Sequence, residues 1–397
     1  MLRTILLVLA AVCSTMPMAT TADEGARVRV TNPISVLRAS ETIALATDLL
    51  KQAFPGTENP SIQVRDAGGN ALVTQAVDMD GDGVVDEILF QADFKPSESR
   101  EFTLSLAAGA KACSTLAYAA YVPGKKGLED LSWENDLVGY RFYGQARSEE
   151  QGTGTGVDVW CKRVPYPMTH KWYDPGINYH RDTGYGADHY SAGKNQGCGG
   201  TGIYATGTVR FSKPFSSWKV VANGPIRTIF ELEFVGWQID AGDVVETKRV
   251  TLDAGHYLNR FESTYSLRTD APAQGSEGAI PLYHAVGLVQ RESSETRTEQ
   301  DRGWLCGWES LGRNKGELGT SVVASPSVVN DVKEIDNHLY AILSSEVGRP
   351  VEYYAGAAWS EFGAVKSFRD WQEYVARQAE CIANPCILLL VGGAGGN

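Results

Sequence analysis

The sequence predicts an all-β protein, a large antiparallel β-sandwich with a few short helices and one helix near the C-terminus. Two observations lead to this fold class. Apolar and polar side chains alternate over many short segments, and Gly, Pro, Asn and Asp separate these segments, a pattern typical of antiparallel sheets with one wetted face. Such a sheet needs a second layer over its apolar side, and two packed layers make a sandwich.

The alternation is clearest in residues 228–234, 246–252 and 259–268. In each segment the apolar side chains fall on every second position, so one side of an extended chain is apolar and the other is polar. The side chains expected on the buried side are Phe230, Leu232, Phe234, Val250, Leu252, Phe261, Tyr265 and Leu267. Each segment therefore predicts a strand that contributes one face to the core.

One helix is predicted between Ser367 and Pro385. Ser367 is a favourable N-cap, and Pro385 cannot continue a helix. Apolar residues between them recur at helical spacing, at Phe368, Trp371, Val375, Ala379 and Ile382. We expect this helix to cover an edge or a face of a sheet.

The N-terminus has the features of a secretory signal peptide over residues 1–22. A single Arg precedes a short apolar run, and small residues stand before the expected cleavage point after Ala22. Cys13 would permit a lipid anchor, but Val12 is bulky for the position before a lipidated cysteine. No later apolar run is long enough to span a bilayer. We therefore expect a secreted or periplasmic chain with no transmembrane span.

Composition limits the partners and the domain count. The net charge of −12 disfavours nucleic acid and anionic membranes, although a local group of Arg and Lys can still bind an acidic substrate. No linker-like change of composition lies between Arg27 and Leu390, and there is no repeat, so residues 23–397 are predicted to form a single β-sandwich catalytic domain, with a small N-terminal β subdomain over 27–107 as an alternative division. Six cysteines follow the predicted signal peptide, and Cys381 and Cys386 are near enough in sequence for a local disulfide.

Residues 168–202 form the segment with the richest chemistry. They contain three of the six histidines with several Tyr, Asp, Lys and Arg residues, many glycines, and no apolar periodicity. A segment without core-forming residues is expected to be a surface loop, and loops of this length usually serve binding or catalysis. We interpret it as a catalytic loop that folds over a sugar-sized trough.

The residue types fit β-elimination from a uronic acid. That reaction needs a base for the proton beside the carboxylate, a cation that stabilises the enolate, and an acid for the leaving oxygen. The proton-transfer candidates are His170, Tyr179, His180 and Tyr190. The substrate-binding candidates are Lys171, Arg181 and Arg249 for a carboxylate, Trp172 for stacking on a sugar ring, and Asp182 and Asp188.

Two alternatives stay open at this stage. A glycoside hydrolase would use two carboxylates across the scissile bond, and Asp174, Asp182 and Asp188 are available, with Glu231, Glu233 or Glu262 from the strands. A non-catalytic sugar-binding protein would use the Tyr and Trp rings and leave the histidines idle. In all three cases the partner is a polysaccharide or an oligosaccharide.

A candidate structural Ca²⁺ site lies in residues 78–87. Asp78, Asp80, Asp82 and Asp86 stand at nearly alternate positions with glycines between them, an arrangement that can wrap carboxylate oxygens around a hard cation. The EF-hand pattern is not met, because Leu89 occupies the position of its last Glu. The competing interpretation is a hairpin turn with solvated aspartates.

The glycine run at 197–202 is not a nucleotide-binding loop, because no strand pattern precedes it and no helix pattern follows. We expect its glycines to let the backbone approach a ligand or to make a tight return into a strand near residue 208. Cys198 lacks an adjacent base and is interpreted as a buried thiol or a disulfide partner.

Several phrases together resemble a bacterial family called domain of unknown function 4861. They are DMDGDGVVDEILFQADF, SWENDLVGYRFYG, GVDVWCKRVPYP, YHRDTGYGADHYSAGKNQGCGGTG, SWKVVANGPIRTIFELEF, ETKRVTLDAGHYLNRFE and VEYYAGAAWSEFG. The resemblance covers nearly the whole mature chain. It implies a galactose-mutarotase-like β-sandwich and a role beside polysaccharide-degradation systems, often those for uronic-acid polymers, but it assigns no catalytic residue.

Overall fold

The structure is a computed structural model that describes residues 25–107, 113–123, 129–151, 154–192, 196–240, 242–268 and 279–392. The predicted signal peptide, residues 1–22, lies outside these ranges. Within them, antiparallel strands dominate and helices are few, which confirms the predicted all-β class. None of the described helices has the length and apolar character needed to cross a membrane.

The largest sheet has eight strands and forms one layer of the sandwich. In spatial order its strands are β14 (Ser217–Ala222), β15 (Arg227–Ile239), β16 (Gly242–Asp253), β17 (Leu258–Leu267), β24 (Pro350–Trp359), β21 (Glu317–Val323), β20 (Trp304–Ser310) and β19 (Glu295–Glu299). Phe230, Leu232 and Phe234 of β15 point into the core, as the alternation predicts.

Two five-stranded sheets face the large sheet. The first contains β13 (Thr208–Arg210), β12 (Cys198–Ala205), β18 (Pro281–Val289), β23 (His338–Glu346) and β22 (Val329–Ile335). The second, called here the loop-bearing sheet, contains β11 (Gly186–Ala187), β10 (Val157–Lys162), β9 (Val138–Tyr143), β8 (Glu129–Glu134) and β7 (Tyr118–Pro123). An isolated parallel bridge from Val157 to Gly197 joins them side by side, and all three sheets share one hydrophobic core.

The N-terminal strands build two smaller sheets around a core cluster of their own. One contains β25 (Ile387–Gly392), β1 (Ala26–Thr31), β6 (Ser99–Leu106) and β3 (Ile62–Arg65), and the other contains β2 (Arg38–Ala46), β5 (Glu87–Phe94) and β4 (Thr74–Val77). The first sheet therefore combines strands from both ends of the chain.

Four α-helices accompany the described strands. They are α1 (Thr47–Ala53), α2 (Gln145–Gln151), α3 (Thr169–Trp172) and α4 (Phe368–Ala383), and a short 3-10 helix spans Gln300–Arg302. The predicted cap of α4 is present, because the Ser367 hydroxyl accepts a hydrogen bond from the Asp370 amide at 3.2 Å. Trp371 and Val375 of α4 are fully buried against the large sheet.

One buried feature of β16 is not evident from the alternation. Glu246 and Lys248 lie on the same inward side as Val250, and their side chains are buried as an ion pair at 2.7 Å. The Lys248 ammonium also donates to the hydroxyls of Thr201 and Ser263, each at 3.0 Å. These partners compensate a charge that burial alone would exclude from the core.

Candidate functional site

The outer side of the loop-bearing sheet carries an unusual set of buried charges. Alternation places Leu131, Phe142 and Val159 in the shared core. The intervening positions point the other way and form what we call the charged face: Asp130, Ser132, Glu134, Arg141, Tyr143, Asp158, Trp160 and Lys162. Residues 163–192, called here the cover segment, lie over this face and exclude water from it.

A buried carboxylate anchors the start of the cover segment. Glu134 accepts hydrogen bonds from the amides of Met168 and Thr169, at 2.6 and 2.7 Å, and from the Thr169 hydroxyl at 2.8 Å. It is also ion-paired with Lys162. Burial lowers the pKa of Lys162, and the Glu134 charge opposes that shift. The free amides at the start of α3 are thus satisfied by a side chain of the sheet below.

The cover segment also packs by burial, which corrects the expectation that it has no core-forming residues. Trp160 of β10 contacts the rings of Trp172, Tyr173 and Tyr179, with ring centroids 4.7, 5.6 and 5.0 Å away. The Trp172 side chain is only 3 % exposed. The prediction that Trp172 stacks on a sugar ring is therefore wrong, because the ring is buried in a cluster with Trp160 and Met168.

Arg141 is the centre of the charged face. Its guanidinium donates to Asp158 at 3.1 Å and to Asp188 at 3.1 Å, and it lies 3.9 Å from Asp130. Arg147 of α2 pairs with Asp130 at 2.8 Å. One oxygen each of Asp130 and Asp158 is buried with no hydrogen-bond partner among the described residues. The cluster thus combines three carboxylates with two guanidinium groups in a water-poor site.

This charge imbalance favours an additional proton. Burial raises the pKa of Asp188 well above its ordinary value, and the neighbouring Asp158 raises it further, while Arg141 opposes both effects. Burial also raises the pKa of Asp130. A buried cluster in which carboxylates outnumber guanidinium groups by one binds a proton more readily than a solvated carboxylate does.

His180 connects this cluster to solvent. Its Nδ1 atom lies 3.6 Å from a carboxylate oxygen of Asp188 and 3.4 Å from the Asp188 backbone carbonyl. The His180 side chain is 65 % exposed, whereas that of Asp188 is 4 % exposed. The arrangement is a surface imidazole with a buried carboxylate behind it, and Arg141 holds that carboxylate from the opposite side.

Three further predicted residues lie at the surface of the cover segment. The Nε2 atom of His170 is 2.6 Å from the hydroxyl of Tyr118, and Lys171 places its ammonium 3.4 Å from the ring centroid of Tyr185. Arg181 is exposed. Burial raises the pKa of Tyr118, and the Glu134 charge adds to the effect. A proton donor and two cations are thus available on the solvent side of the segment.

Other predicted site residues have structural partners instead. Tyr190 is buried, and burial raises its pKa well above the ordinary value, so its hydroxyl is not placed for the predicted role in proton transfer. Asp182 accepts from Arg163 at 2.6 Å and from the amides of Gly184 and Gly186, which orders the segment.

The structure also contradicts the prediction that Asp188 and Arg249 bind the substrate. The Asp188 carboxylate is buried between Arg141 and His180, so it orients protein groups. Arg249 lies on the outer face of the large sheet, where it donates to Glu231 at 2.6 and 2.9 Å. That face belongs to a different layer from the cover segment.

Several members of the site were not identified from the sequence. They are Tyr118, Asp130, Arg141, Arg147 and Asp158. A signal was available, since Asp130, Arg141 and Asp158 sit at alternate positions of strands whose other positions are apolar. Such residues look like a wetted face until a covering segment is placed over them.

The acidic loop brings three of its four predicted carboxylates together. Ligand oxygens of Asp78, Asp80 and Asp86 lie within 4.8 Å of one another, which is compatible with a shared oxygen-coordinated ion. Asp82 is not part of this group, and its carboxylate accepts the Val84 amide at 2.7 Å. The Lys219 ammonium donates to the Asp80 backbone carbonyl at 3.2 Å, so the loop is also attached to β14.

The glycine run serves packing between strands. Gly199 has φ +85°, and a Cβ at this position would lie 2.2 Å from the Ala355 Cβ of β24. The close approach is therefore between two layers of the protein. Cys198 is a buried free thiol, and Cys381 and Cys386 are also unpaired, so the local disulfide is not formed in this structure.

Known proteins similar to this chain were identified by sequence and by fold. It is 32 % identical to "Uncharacterized protein P7" of Formosa agariphila over 381 residues, which are 90 % of this chain and 91 % of that protein. A protein in glycosyl hydrolase family 38 from Enterococcus faecalis has a similar structure, with a TM-score of 0.52, 11 % identity and 94 % of this chain covered. An alpha-mannosidase from Enterococcus faecalis V583 gives a TM-score of 0.49 at 10 % identity, again over 94 % of this chain.

The chain spans about half the length of these two solved structures, 48 % and 47 %. At 11 % identity, the similarity to the glycosyl hydrolase family 38 protein shows a shared sandwich fold and nothing more. The sequence pattern of the family described as Domain of unknown function (DUF4861) matches residues 30–387. The chain belongs to this family.

Proposed function

We propose that the protein is a carbohydrate-active enzyme that cleaves uronate-containing saccharides by β-elimination. The observation that carries the proposal is the pair formed by exposed His180 and buried Asp188. A surface imidazole whose Nδ1 faces the backbone carbonyl of Asp188, with the carboxylate close behind it, is a suitable base near neutral pH. The sandwich fold shared with a glycosyl hydrolase family 38 protein is compatible with saccharide chemistry but supplies no catalytic residue.

Each chemical step has a candidate group. With Nδ1–H directed at the backbone carbonyl of Asp188, 3.4 Å away, the Nε2 atom of His180 would accept the proton from the carbon beside the substrate carboxylate. The electron pair of that C–H bond forms the new C=C bond, and the bond to the leaving glycosidic oxygen breaks. His170, hydrogen-bonded to Tyr118, would protonate that oxygen. Lys171 and Arg181 would bind the carboxylate and stabilise the enolate charge.

Hydrolysis is less well supported, because the available carboxylates have other partners. Asp158 and Asp188 are buried against Arg141, and Asp182 is bonded to Arg163 and two amides. Paired carboxylates in a glycosidase must flank the scissile bond. Asp174 is exposed but has no second free carboxylate placed beside it in the part of the cover segment that the structure describes.

Two further proposals accompany the enzyme. Asp78, Asp80 and Asp86 would hold a structural Ca²⁺, because hard cations prefer clustered carboxylate oxygens. The predicted signal peptide would direct the chain to the periplasm or the exterior, where polysaccharide substrates are found. A fusion of residues 1–22 to a reporter enzyme tests export, and retention of the reporter inside the cell would contradict it.

The enzymatic proposal is tested with a panel of uronic-acid polysaccharides. Elimination creates an unsaturated product that absorbs at ~232–235 nm, since the enolate collapses to an alkene. We expect this signal from the native protein and its loss in His180→Ala, with an unchanged melting temperature because His180 is exposed. Arg369→Ala on α4, where the side chain is 85 % exposed, is the control that should keep full activity.

The alternatives give different results in the same assay. New reducing ends without the absorbance would show hydrolysis. Binding with neither signal would show a non-catalytic saccharide-binding protein. Full activity of His180→Ala would remove the proposed base and overturn the mechanism.

A further inference from the structure

We propose that Tyr121 and Trp218 form a second saccharide-binding site, an aromatic platform that holds a sugar ring of a longer chain outside the catalytic site. The two rings are stacked, with centroids 4.7 Å apart and planes inclined by 11°. Trp218 is 44 % exposed although Tyr121 covers one side of its ring. Much of the Trp218 side chain is therefore open to solvent, and an exposed indole suits the C–H side of a pyranose.

The platform is fixed by the backbone on both sides. Tyr121 lies on β7 and Trp218 on β14, which are edge strands of two different sheets. Asn223, just after β14, joins them because its side chain accepts from the Ala119 amide at 2.7 Å and donates to the Ala119 carbonyl at 3.0 Å. A bridge between Ala117 and Gly224 continues this pairing. Rings held in this way lose little conformational entropy when a ligand binds.

The position relative to the proposed catalytic site suggests a continuous saccharide. Strand β7 also carries Tyr118, whose hydroxyl contacts His170. Three residue steps, about 10 Å of extended backbone, lead from Tyr118 to Tyr121, and this odd spacing places the two side chains on opposite faces of β7. β7 is the last strand of its sheet, so a polymer bound at His170 and His180 would reach the platform by passing around β7 beyond the residues that pair with Asn223 and Gly224. The inference that one saccharide chain spans both sites rests on the proposed function.

The platform is tested by binding to soluble polysaccharide in native affinity gels, with His180→Ala as the carrier so that no substrate is consumed. We expect Trp218→Ala to weaken binding about tenfold, equivalent to about 1.4 kcal/mol. Trp218→Phe keeps an aromatic face and should retain most of the affinity. Tyr283→Ala, which removes another side chain that is 44 % exposed, is the matched control and should bind as the parent does.

A second measurement separates this inference from the proposed function. In the otherwise native protein, Trp218→Ala should raise the KM for polymer while leaving turnover of a short oligosaccharide unchanged. Equal polymer affinity for Trp218→Ala and its parent, with both folded by circular dichroism, would overturn the platform. Loss of affinity in a protein that shows no eliminase activity would keep the platform and reject the enzyme.

Discussion

The Nδ1 atom of His180 lies 3.6 Å from the Asp188 carboxylate, and the two side chains differ sharply in exposure, 65 % against 4 %. Asp188 is in turn held by Arg141 at 3.1 Å. An exposed imidazole is therefore connected, through one buried carboxylate, to a cluster of charges beneath the cover segment. The His180 imidazole lies at the surface, whereas the side chains behind it, Asp188 and Arg141, lie inside the protein.

Replacing Asp188 tests this arrangement. Asp188→Asn removes the charge that Arg141 holds behind the imidazole and can turn an amide N–H toward His180 Nδ1, so the tautomer with a proton on Nδ1 is no longer favoured. We expect kcat to fall by about 10²-fold, a typical general-base effect, with little change in KM. Steady-state kinetics across pH on the eliminase substrate measure this. An increased KM with native kcat would instead assign Asp188 to substrate binding.

The Glu134–Lys162 pair allows a test of how the cover segment is anchored. Glu134→Ala would leave the Lys162 ammonium buried without its partner and would free the α3 amides, so we expect a loss of about 3–5 kcal/mol in stability. Denaturant unfolding measures it. The double variant Glu134→Leu with Lys162→Met removes both charges and should recover part of that loss. A double variant that is less stable than Glu134→Ala would contradict the uncompensated-charge explanation.

Added Ca²⁺ should stabilise the protein through the acidic loop. At a concentration 100 times the dissociation constant, the expected gain is about 2.7 kcal/mol, visible as a higher melting temperature that a chelator reverses. Asp78→Asn and Asp86→Asn should abolish the response. Asp82→Asn is the matched control, since its carboxylate lies outside the group, and should keep it. Equal responses in all three variants would place the ion elsewhere.

The Arg227–Asp253 pair predicts a pH-dependent contribution to stability. Burial would raise the pKa of Asp253, but the charge and hydrogen bonds of Arg227 prevail and lower it. A carboxyl group whose pKa is lowered by folding stabilises the fold fully at pH values above its ordinary pKa. This stabilisation is lost as the pH falls through the lowered pKa. We therefore expect Arg227→Met to cost about 3 kcal/mol at pH 7 and progressively less below about pH 4.

Thermal unfolding from pH 3 to pH 7 tests that prediction. Arg260→Met is the control, because its pair with Glu352 is 41 % exposed on both sides and should contribute only about 0–1 kcal/mol. A deficit in Arg227→Met that is constant with pH would show that its packing, and not its charge, matters.

Gly199 is expected to tolerate no side chain. A Cβ would lie 2.2 Å from Ala355 Cβ, and the residue has φ +85°. Gly199→Ala should lower stability by about 1–3 kcal/mol, the usual cost of overpacking a core. Gly207 has φ +83°, and a Cβ there would have no neighbour within 4 Å, so Gly207→Ala measures the effect of backbone conformation without a clash. It should lower stability less than Gly199→Ala does. Equal losses in both variants would assign the effect to backbone conformation alone.

Local pattern was sufficient for the architecture. The period-two alternation at Phe230, Leu232 and Phe234, and the capped stripe from Ser367 to Pro385, report directly on which side of an element is buried. Both were predicted correctly because burial of apolar side chains dominates folding and leaves a periodic record in the sequence. Family membership was likewise predicted from short sequence motifs.

The candidate site could be predicted only in part. His180 was selected because it lies in a conspicuous segment, and the structure places it beside Asp188. Trp172 and Tyr190 were selected by the same logic and prove to be buried. Residue type indicates what a side chain can do, but not whether solvent or substrate reaches it.

By itself the sequence determined the sandwich, its strands, the C-terminal helix and the family. Only the tertiary structure decided that Arg141, Asp158 and Asp188, from three separate elements, form one buried cluster with His180 at its edge. The physical reason is that electrostatic partnership depends on distance and on exclusion of water. Both are created when the cover segment packs onto Trp160, and neither leaves a periodic trace along the chain.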